Sequence, residues 1–310
     1  MKLFLRAILL LVILIIVFAY LIVPKHMQVK TSVAVNAPAL RTAGFLNSTQ
    51  QWRKWWPEKN QSSDSVFKYK DEYYNIVMFS ENVVKVKTKR GSDYIEGNIN
   101  IIPTANDSSV VEWVTDIEIG SNPLKKIAWY FYEIELKEDI GDILNALKAY
   151  LGNKANVYQL DIKKETVKDT VLITTKKVFP QFPQTNDVYA MIDQVKAFIK
   201  SQNGTETNFP MLHVIKQDSS HFETQVAIPT DHALTSAKGF ELKRMFAGKI
   251  LSAEVKGGFS TIEKAFEQLE DYRSDNNLAS PAIPFSMLVT DRRAEPDTNK
   301  WVTRVYYPVF

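Results

Sequence analysis

The segment DVYAMIDQVKAF, residues 187–198, returns 74 residues later as TIEKAFEQLEDY, residues 261–272, with apolar side chains at matching positions. The matched pairs are Val188 and Ile262, Met191 and Ala265, Ile192 and Phe266, Val195 and Leu269, and Phe198 and Tyr272. In each segment the apolar residues recur at the spacing of one helix face. Both segments are therefore predicted to be amphipathic helices.

The residues around these helices repeat as well. The flanking matches are residues 210–215 with 284–289, residues 222–229 with 301–308, and a strand-like run before each helix at 170–178 and 248–255. The repeated unit is thus strand–helix–strand–strand, present twice. We expect the two copies to pair about a pseudo-twofold axis, with their strands in one sheet and a groove between the copies as the ligand site.

The second copy carries a family resemblance. The residues concerned are AEVKGGFS at 253–260, the helix that ends at Tyr272, Pro281–Pro284, and TRVYYPV at 303–309. This pattern resembles the GyrI-like, or AraC effector-binding, domain, which is related to SOUL haem-binding proteins. The resemblance implies a domain over Val157–Phe310 that binds small, often cationic or amphipathic molecules in an aromatic groove with a buried carboxylate. Some members are hydrolases.

One residue departs from that family pattern. Many members carry an acidic residue in the last strand, where this chain has Arg304, matched by Gln225 in the first copy. The acidic candidates that remain are Glu223 and Glu254, and strand parity does not decide whether either points inward. Either would be the catalytic residue of a hydrolase if an apolar pocket raised its pKa.

Aromatic side chains supply the other groove candidates. These ligand-binding candidates are Phe240, Trp301, Tyr306 and Tyr307. Successive strand residues point to opposite faces, so only one of the two adjacent tyrosines can face the groove. The sequence does not choose between them.

The preceding region, His26–Gly152, has a different pattern. Strand-like runs occupy residues 28–35, 74–87, 93–102 and 110–119, and helical patterns occupy residues 39–46 and 140–151. The segment WRKWWPE at 52–58 follows the first helix. These features indicate an antiparallel sheet closed by a C-terminal helix.

The same features resemble START-like (SRPBCC, polyketide cyclase-type) domains. The resemblance rests on the order of elements, Ala37-Pro38, the segment Trp52–Pro57 and the SNPL motif at 121–124. It implies a helix-grip fold, in which a curved antiparallel sheet wraps a long helix around an apolar cavity. Trp52, Trp56 and Trp113 are candidates to line that cavity, although tryptophans also fill ordinary cores.

The N-terminal segment Leu3–Val23 is almost uninterrupted apolar sequence, and about 20 such residues cross a bilayer as a helix. A cleaved signal peptide is the alternative, but the sequence YLIVPK at 20–25 shows no cleavage site of small residues. A short basic N-terminal tail usually stays in the cytoplasm. We therefore predict a single-pass anchor with the soluble part outside the cytoplasm.

Composition excludes several functions. A net charge of +3 over 310 residues and the lack of a helix-turn-helix pattern argue against a nucleic-acid partner. The chain has no cysteine, and its four histidines lack metal-ligand spacing, so we predict neither a metal nor another cofactor. No catalytic motif is visible. The leading hypothesis is a membrane-anchored protein, α+β in fold class, that binds or senses a hydrophobic or amphipathic small molecule. A hydrolase and a scaffolding protein are the alternatives.

Overall fold

A computed structural model describes residues 2–59, 64–80, 82–90, 93–105, 107–218, 220–280 and 282–310. The chain divides into two compact units, Met1–Asn153 and Lys154–Phe310, called unit 1 and unit 2 below. Pro281, which belongs to one of the family-matched segments, lies outside the described residues. The fold is α+β, with a six-stranded sheet in unit 1 and an eight-stranded sheet in unit 2.

The sheet of unit 1 is antiparallel throughout and has the order β1-β6-β5-β4-β3-β2. The elements of unit 1 are α1 (Lys2–Leu21), β1 (His26–Val35), α2 (Ala39–Leu46), α3 (Thr49–Trp55), β2 (Val66–Tyr69), β3 (Glu72–Ser80), β4 (Val83–Arg90), β5 (Asp93–Ala105), β6 (Ser108–Glu118) and α4 (Pro123–Leu151). The two short helices thus lie in the connection between β1 and β2, and the long helix follows the last strand.

The run at 74–87, read from the sequence as one strand, is two strands. β3 and β4 pair as an antiparallel hairpin, with Ser80 opposite Val83 and a turn at Asn82. Asparagine favours turns because its side chain can hydrogen-bond to nearby backbone. The apolar residues on both sides of this turn hide it in the sequence pattern.

The closing helix α4 begins 17 residues before the predicted start at Ile140. Asn122 caps it, because the side-chain oxygen accepts hydrogen bonds from the backbone N–H groups of Leu124 and Lys125. Pro123 occupies the first turn, where its missing N–H costs nothing. Together these residues start the helix well before its regular apolar stripe.

Helix α1 is apolar except for Lys2 and Arg6, and it alone among the described helices is long and apolar enough to cross a bilayer, over Phe4–Leu21. A signal sequence near an N-terminus can also meet this criterion of length and composition. An anchor and a signal sequence therefore both fit this helix.

The sheet of unit 2 is also antiparallel, in the order β11-β8-β10-β9-β13-β14-β12-β7. Its elements are α5 (Lys154–Tyr158), β7 (Lys163–Thr166), β8 (Val171–Phe179), α6 (Thr185–Ser201), β9 (Met211–Lys216), β10 (Phe222–Pro229), β11 (Glu241–Arg244), β12 (Lys249–Lys256), α7 (Phe259–Asp275), β13 (Phe285–Leu288), a 3₁₀ turn (Thr298–Lys300) and β14 (Val302–Val309). Strand–helix–strand–strand therefore occurs twice, as β8-α6-β9-β10 and β12-α7-β13-β14. The short strands β7 and β11, absent from the sequence reading, form the two edges.

Two hydrophobic clusters hold the helices of unit 2 on its sheet. One joins α6 to β8 and β10 through residues such as Ile192, Val195 and Val226. The other joins α7 to β12 and β14 through residues such as Leu269 and Val305. Burial of these side chains fixes which strand residues face the helices.

Candidate functional site

The two faces of the eight-stranded sheet are chemically different. On β9, Leu212 packs in the cluster beneath α6, so its neighbour Met211 points to the other face. That second face, away from α6 and α7, is called the groove face below. It carries its own apolar cluster of Leu172, Met211, Ala227, Ile250, Phe285 and Met287.

A cavity of about 210 Å³ opens on the groove face. Strands of both copies contribute to it, together with β11 and the segment before β13. Its apolar lining includes Leu172, Met211, Ala227, Met245, Ile283, Phe285 and Pro308. Pockets for drug-sized ligands hold roughly 300–1,000 Å³, so this cavity suits a smaller molecule of one ring or a short chain.

His213 and Gln225 form the polar part of the cavity floor. They lie opposite each other on β9 and β10, and both line the cavity. The His213 Nδ1 lies 2.7 Å from the carbonyl oxygen of Pro284, and since a carbonyl only accepts, Nδ1 carries the proton. Burial lowers the pKa of His213 below its ordinary value, so the ring is neutral at pH 7 and Nε2 is an acceptor. The floor thus offers an amide and an imidazole acceptor to a ligand.

The charges at the cavity are cationic. Lys243 and Arg244 of β11 line it, and no carboxylate does among the described residues. Glu223, on the groove face of β10, is held by the Lys176 ammonium at 2.8 Å, which lowers the pKa of the carboxyl. A carboxyl with a lowered pKa is a poor general acid.

The other acidic candidate is paired in the same manner. Glu254 lies opposite Arg304 in the β12–β14 register, and its carboxylate accepts a hydrogen bond from the guanidinium at 2.9 Å. Both side chains are about half exposed. Arg304, the residue that departs from the family pattern, is therefore paired with the Glu254 carboxylate on the groove face.

The aromatic candidates of unit 2 separate onto different faces. Tyr306 lies on the groove face and stacks on Phe285 at a ring distance of 5.1 Å. Tyr307 packs on the α7 side. Phe240 stacks on Phe198 of α6 at 4.4 Å and also lies on the helix side. Of these three candidates, the structure brings Tyr306 next to a cavity-lining residue.

Trp301, the fourth aromatic candidate, is buried beside the start of α7. Its indole N–H donates to the carbonyl oxygen of Glu295 at 2.7 Å, and its ring meets that of Phe259 edge to face. The Arg292 guanidinium lies 4.7 Å from the centre of the indole ring. These contacts hold the side chain away from the cavity lining.

The tryptophan candidates of unit 1 lie in its interior. Trp52 and Trp56 stack at 5.5 Å, and their indole N–H groups donate to the carbonyl oxygens of Leu46 and Lys68, each at 2.7 Å. Trp113, on β6, is equally buried and meets Tyr74 edge to face. These contacts are those of a packed aromatic core, the second of the two interpretations that the sequence left open for these tryptophans.

A buried polar group in unit 1 has no clear signal in the sequence. The Tyr74 hydroxyl is buried with no hydrogen-bond partner among the described residues, and burial raises the pKa of this phenol and that of Glu72. The Arg90 guanidinium lies 3.6 Å from the centre of the Tyr132 ring. Nothing in the strand pattern around Tyr74 marks it as different from a core aromatic residue.

Metal-ligand geometry is missing from the described part of the chain, where no three His, Asp or Glu side chains converge as an ion would require. The cavity also lacks a nucleophile–base pair among its described lining residues.

No protein-family model matches the chain, and no curated protein matches it in sequence. Several solved structures are similar in fold. The EcmrR C-terminal domain has 13% identity and a TM-score of 0.42, covering 49% of this chain and 98% of its own. A Listeria innocua hydrolase has 11% identity and a TM-score of 0.37, with coverages of 48% and 91%. The di-domain ARO/CYC protein BexL has 11% identity and a TM-score of 0.33, with coverages of 91% and 84%.

Proposed function

We propose that this chain is a membrane-anchored protein that binds a small amphipathic molecule in the cavity of unit 2. The observation that carries the proposal is the cavity itself, which combines an apolar lining with the convergent polar groups of His213 and Gln225. Ligand sites are typically apolar and hold a few placed polar groups that fix orientation. A packed scaffolding surface would need neither.

The charge of the lining selects the ligand class. The Lys243 ammonium, which shares the groove face with Leu172, attracts a negative head group, whereas Glu223 and Glu254 are each already paired with a cation. A cationic ligand would meet the positive Lys243 side chain and no free carboxylate among the described lining residues. We therefore propose that the ligand is anionic or neutral, with an apolar body of about one ring.

The duplicated architecture belongs to the same proposal. At the centre of the sheet Leu212 pairs with Ser286, the residue 74 positions later, which is the offset between residues 187 and 261. Where a residue pairs antiparallel with its own counterpart, a twofold axis that relates the two copies passes between the two residues. This pairing supports pseudo-twofold symmetry and a GyrI-like assignment for unit 2.

The proposal also makes unit 1 a START-like domain and α1 its anchor. A long C-terminal helix packed on an antiparallel sheet supports a helix-grip arrangement. The apolar composition of α1 supports insertion. The location of the soluble part outside the cytoplasm stays a prediction from the charges that flank the helix.

The test is equilibrium dialysis of the full-length protein in phosphatidylcholine nanodiscs against two probes of the same shape, 4-phenylbutyrate and 4-phenylbutylamine. Empty nanodiscs give the partition baseline. We expect phenylbutyrate to bind more tightly than the amine. The substitution Gln225→Glu places a carboxylate on the cavity floor and should reverse the order, because it adds an attraction for the ammonium and a repulsion for the carboxylate.

Matched variants locate the effect. Lys243→Gln removes a lining charge. It should weaken the binding of phenylbutyrate about two- to fivefold, because an exposed charge pair contributes up to about 1 kcal/mol. Lys238→Gln removes an exposed charge that does not line the cavity and should leave affinity unchanged. Equal binding by the wild type and by a variant with the cavity filled, Ala227→Phe, would contradict the proposal.

A further inference from the structure

The first half of α4 exposes large apolar side chains on one side. Leu124 is 74% exposed, Phe131 66% and Ile134 50%. Their spacing of seven and three residues places them together on a helix, opposite the side that buries Trp129 and Tyr132. Monomeric proteins rarely leave such a stripe in water without a partner.

This part of α4 lies beside the end of α1. The rings of Phe18 and Tyr130 meet edge to face at 6.0 Å. The buried Lys126 ammonium donates to the carbonyl oxygen of Val23 and lies 5.7 Å from the centre of the Tyr20 ring. The apolar stripe is therefore next to the point where α1 joins the rest of unit 1.

Burial along α1 shows where this helix leaves the unit. The described side chains from Phe4 to Val17 are exposed, whereas Ala19 and Val23 are buried. Among the described side chains of α1, burial against the rest of unit 1 is thus confined to the last turn and the residues after it. If the apolar segment spans the bilayer, the lipid surface lies within about one helical turn of Phe18.

We propose that the face of α4 formed by Leu124, Phe131 and Ile134 lies on the lipid surface, as a second membrane contact beside the anchor. The inference rests on the proposed role of α1 as an anchor. Aromatic and aliphatic side chains at the interface between water and hydrocarbon are favourable there. Glu135 and Glu138, both exposed, follow on the same side and mark where the apolar stripe ends.

The chain has no cysteine, so a single cysteine can be spin-labelled in the full-length protein without other changes. Three variants are compared in phosphatidylcholine nanodiscs: Phe131→Cys on the stripe, Leu14→Cys in α1, and Asn145→Cys on the same side of α4, farther along the helix. Electron paramagnetic resonance measures collisions of each label with oxygen, which concentrates in lipid, and with a water-soluble nickel chelate. We expect the oxygen-to-nickel ratio at position 131 to be well above that at 145 and closer to that at 14.

The outcomes separate the two proposals. A high oxygen-to-nickel ratio at position 14, as in lipid, with a low ratio at position 131, as in water, overturns the contact by α4 and leaves the anchor in place. A low oxygen-to-nickel ratio at position 14 overturns the anchor and this inference with it. A label at 131 that is shielded from both reagents points to a protein partner or a second copy on the stripe, and also overturns the inference.

Discussion

Removal of one hydroxyl group, by Tyr74→Phe, should stabilise unit 1. The Tyr74 side chain is fully buried, and its hydroxyl has no hydrogen-bond partner among the described residues. Its ring packs against Trp56 and Trp113 at 5.6 and 5.7 Å, contacts that phenylalanine keeps. A buried hydroxyl without a partner costs about 1–3 kcal/mol in lost hydration. We therefore expect the free energy of unfolding to rise by about 1 kcal/mol.

For a unit of this size, 1 kcal/mol corresponds to a Tm increase of about 2–4 °C. Differential scanning calorimetry of the full chain in nanodiscs measures it. The matched control is Tyr189→Phe, because that hydroxyl accepts from the Arg292 backbone N–H at 2.8 Å and donates to the Thr290 carbonyl at 3.2 Å. Its loss should lower stability by about 1–2 kcal/mol.

A lower Tm for Tyr74→Phe would refute the reasoning, because it would mean that the hydroxyl has a partner in the folded protein. The partner would be either a bound ligand or an internal water, and a repeat of the measurement after exhaustive dialysis separates the two. A bound ligand would be lost on dialysis and the sign would reverse, whereas an internal water would remain and leave the sign unchanged.

Three further predictions concern the sheets. The lowered pKa of His213 means that the unfolded chain binds the proton more readily, so stability should fall as pH drops below about 6.5. His213→Gln should reduce this loss of stability, measured as the difference in the free energy of unfolding between urea titrations at pH 7 and pH 5. Gly97→Ala should cost unit 1 roughly 1–3 kcal/mol by calorimetry, because an added Cβ would lie 2.7 Å from the Trp113 indole nitrogen. Glu254→Gln should cost less than about 1 kcal/mol, since its bond with Arg304 is solvent-exposed; a larger loss in urea unfolding would show that the pair is structural.

Local patterns in the sequence predicted much of the backbone. The paired segments at 187–198 and 261–272 became α6 and α7, because an amphipathic helix needs only the spacing of its own apolar residues. Most strands of unit 1 also followed from their alternation. The long run at 74–87 failed, since strand alternation does not reveal a tight turn when apolar residues continue on both sides of it.

The candidate site was predictable only in part. The sequence predicted a groove between the two copies and identified Arg304, matched by Gln225, as the departure from the family pattern. It could not choose between Tyr306 and Tyr307. Strand alternation predicts that neighbouring side chains point to opposite faces, but it does not say which of the two faces a helix. It also missed the neutral imidazole of His213, whose tautomer depends on a carbonyl 71 residues away in the chain.

The sequence by itself determined the period of each element, the order strand–helix–strand–strand and the apolar N-terminal helix, because all three are set by residues close together along the chain. Only the tertiary structure decided which face each side chain occupies and that Glu223 and Glu254 are each paired with a cation. It also decided that Tyr74 is buried with no hydrogen-bond partner in the described part of the chain. The physical reason is that burial and ion pairing depend on strand register and helix placement, which bring together residues that are distant in the chain.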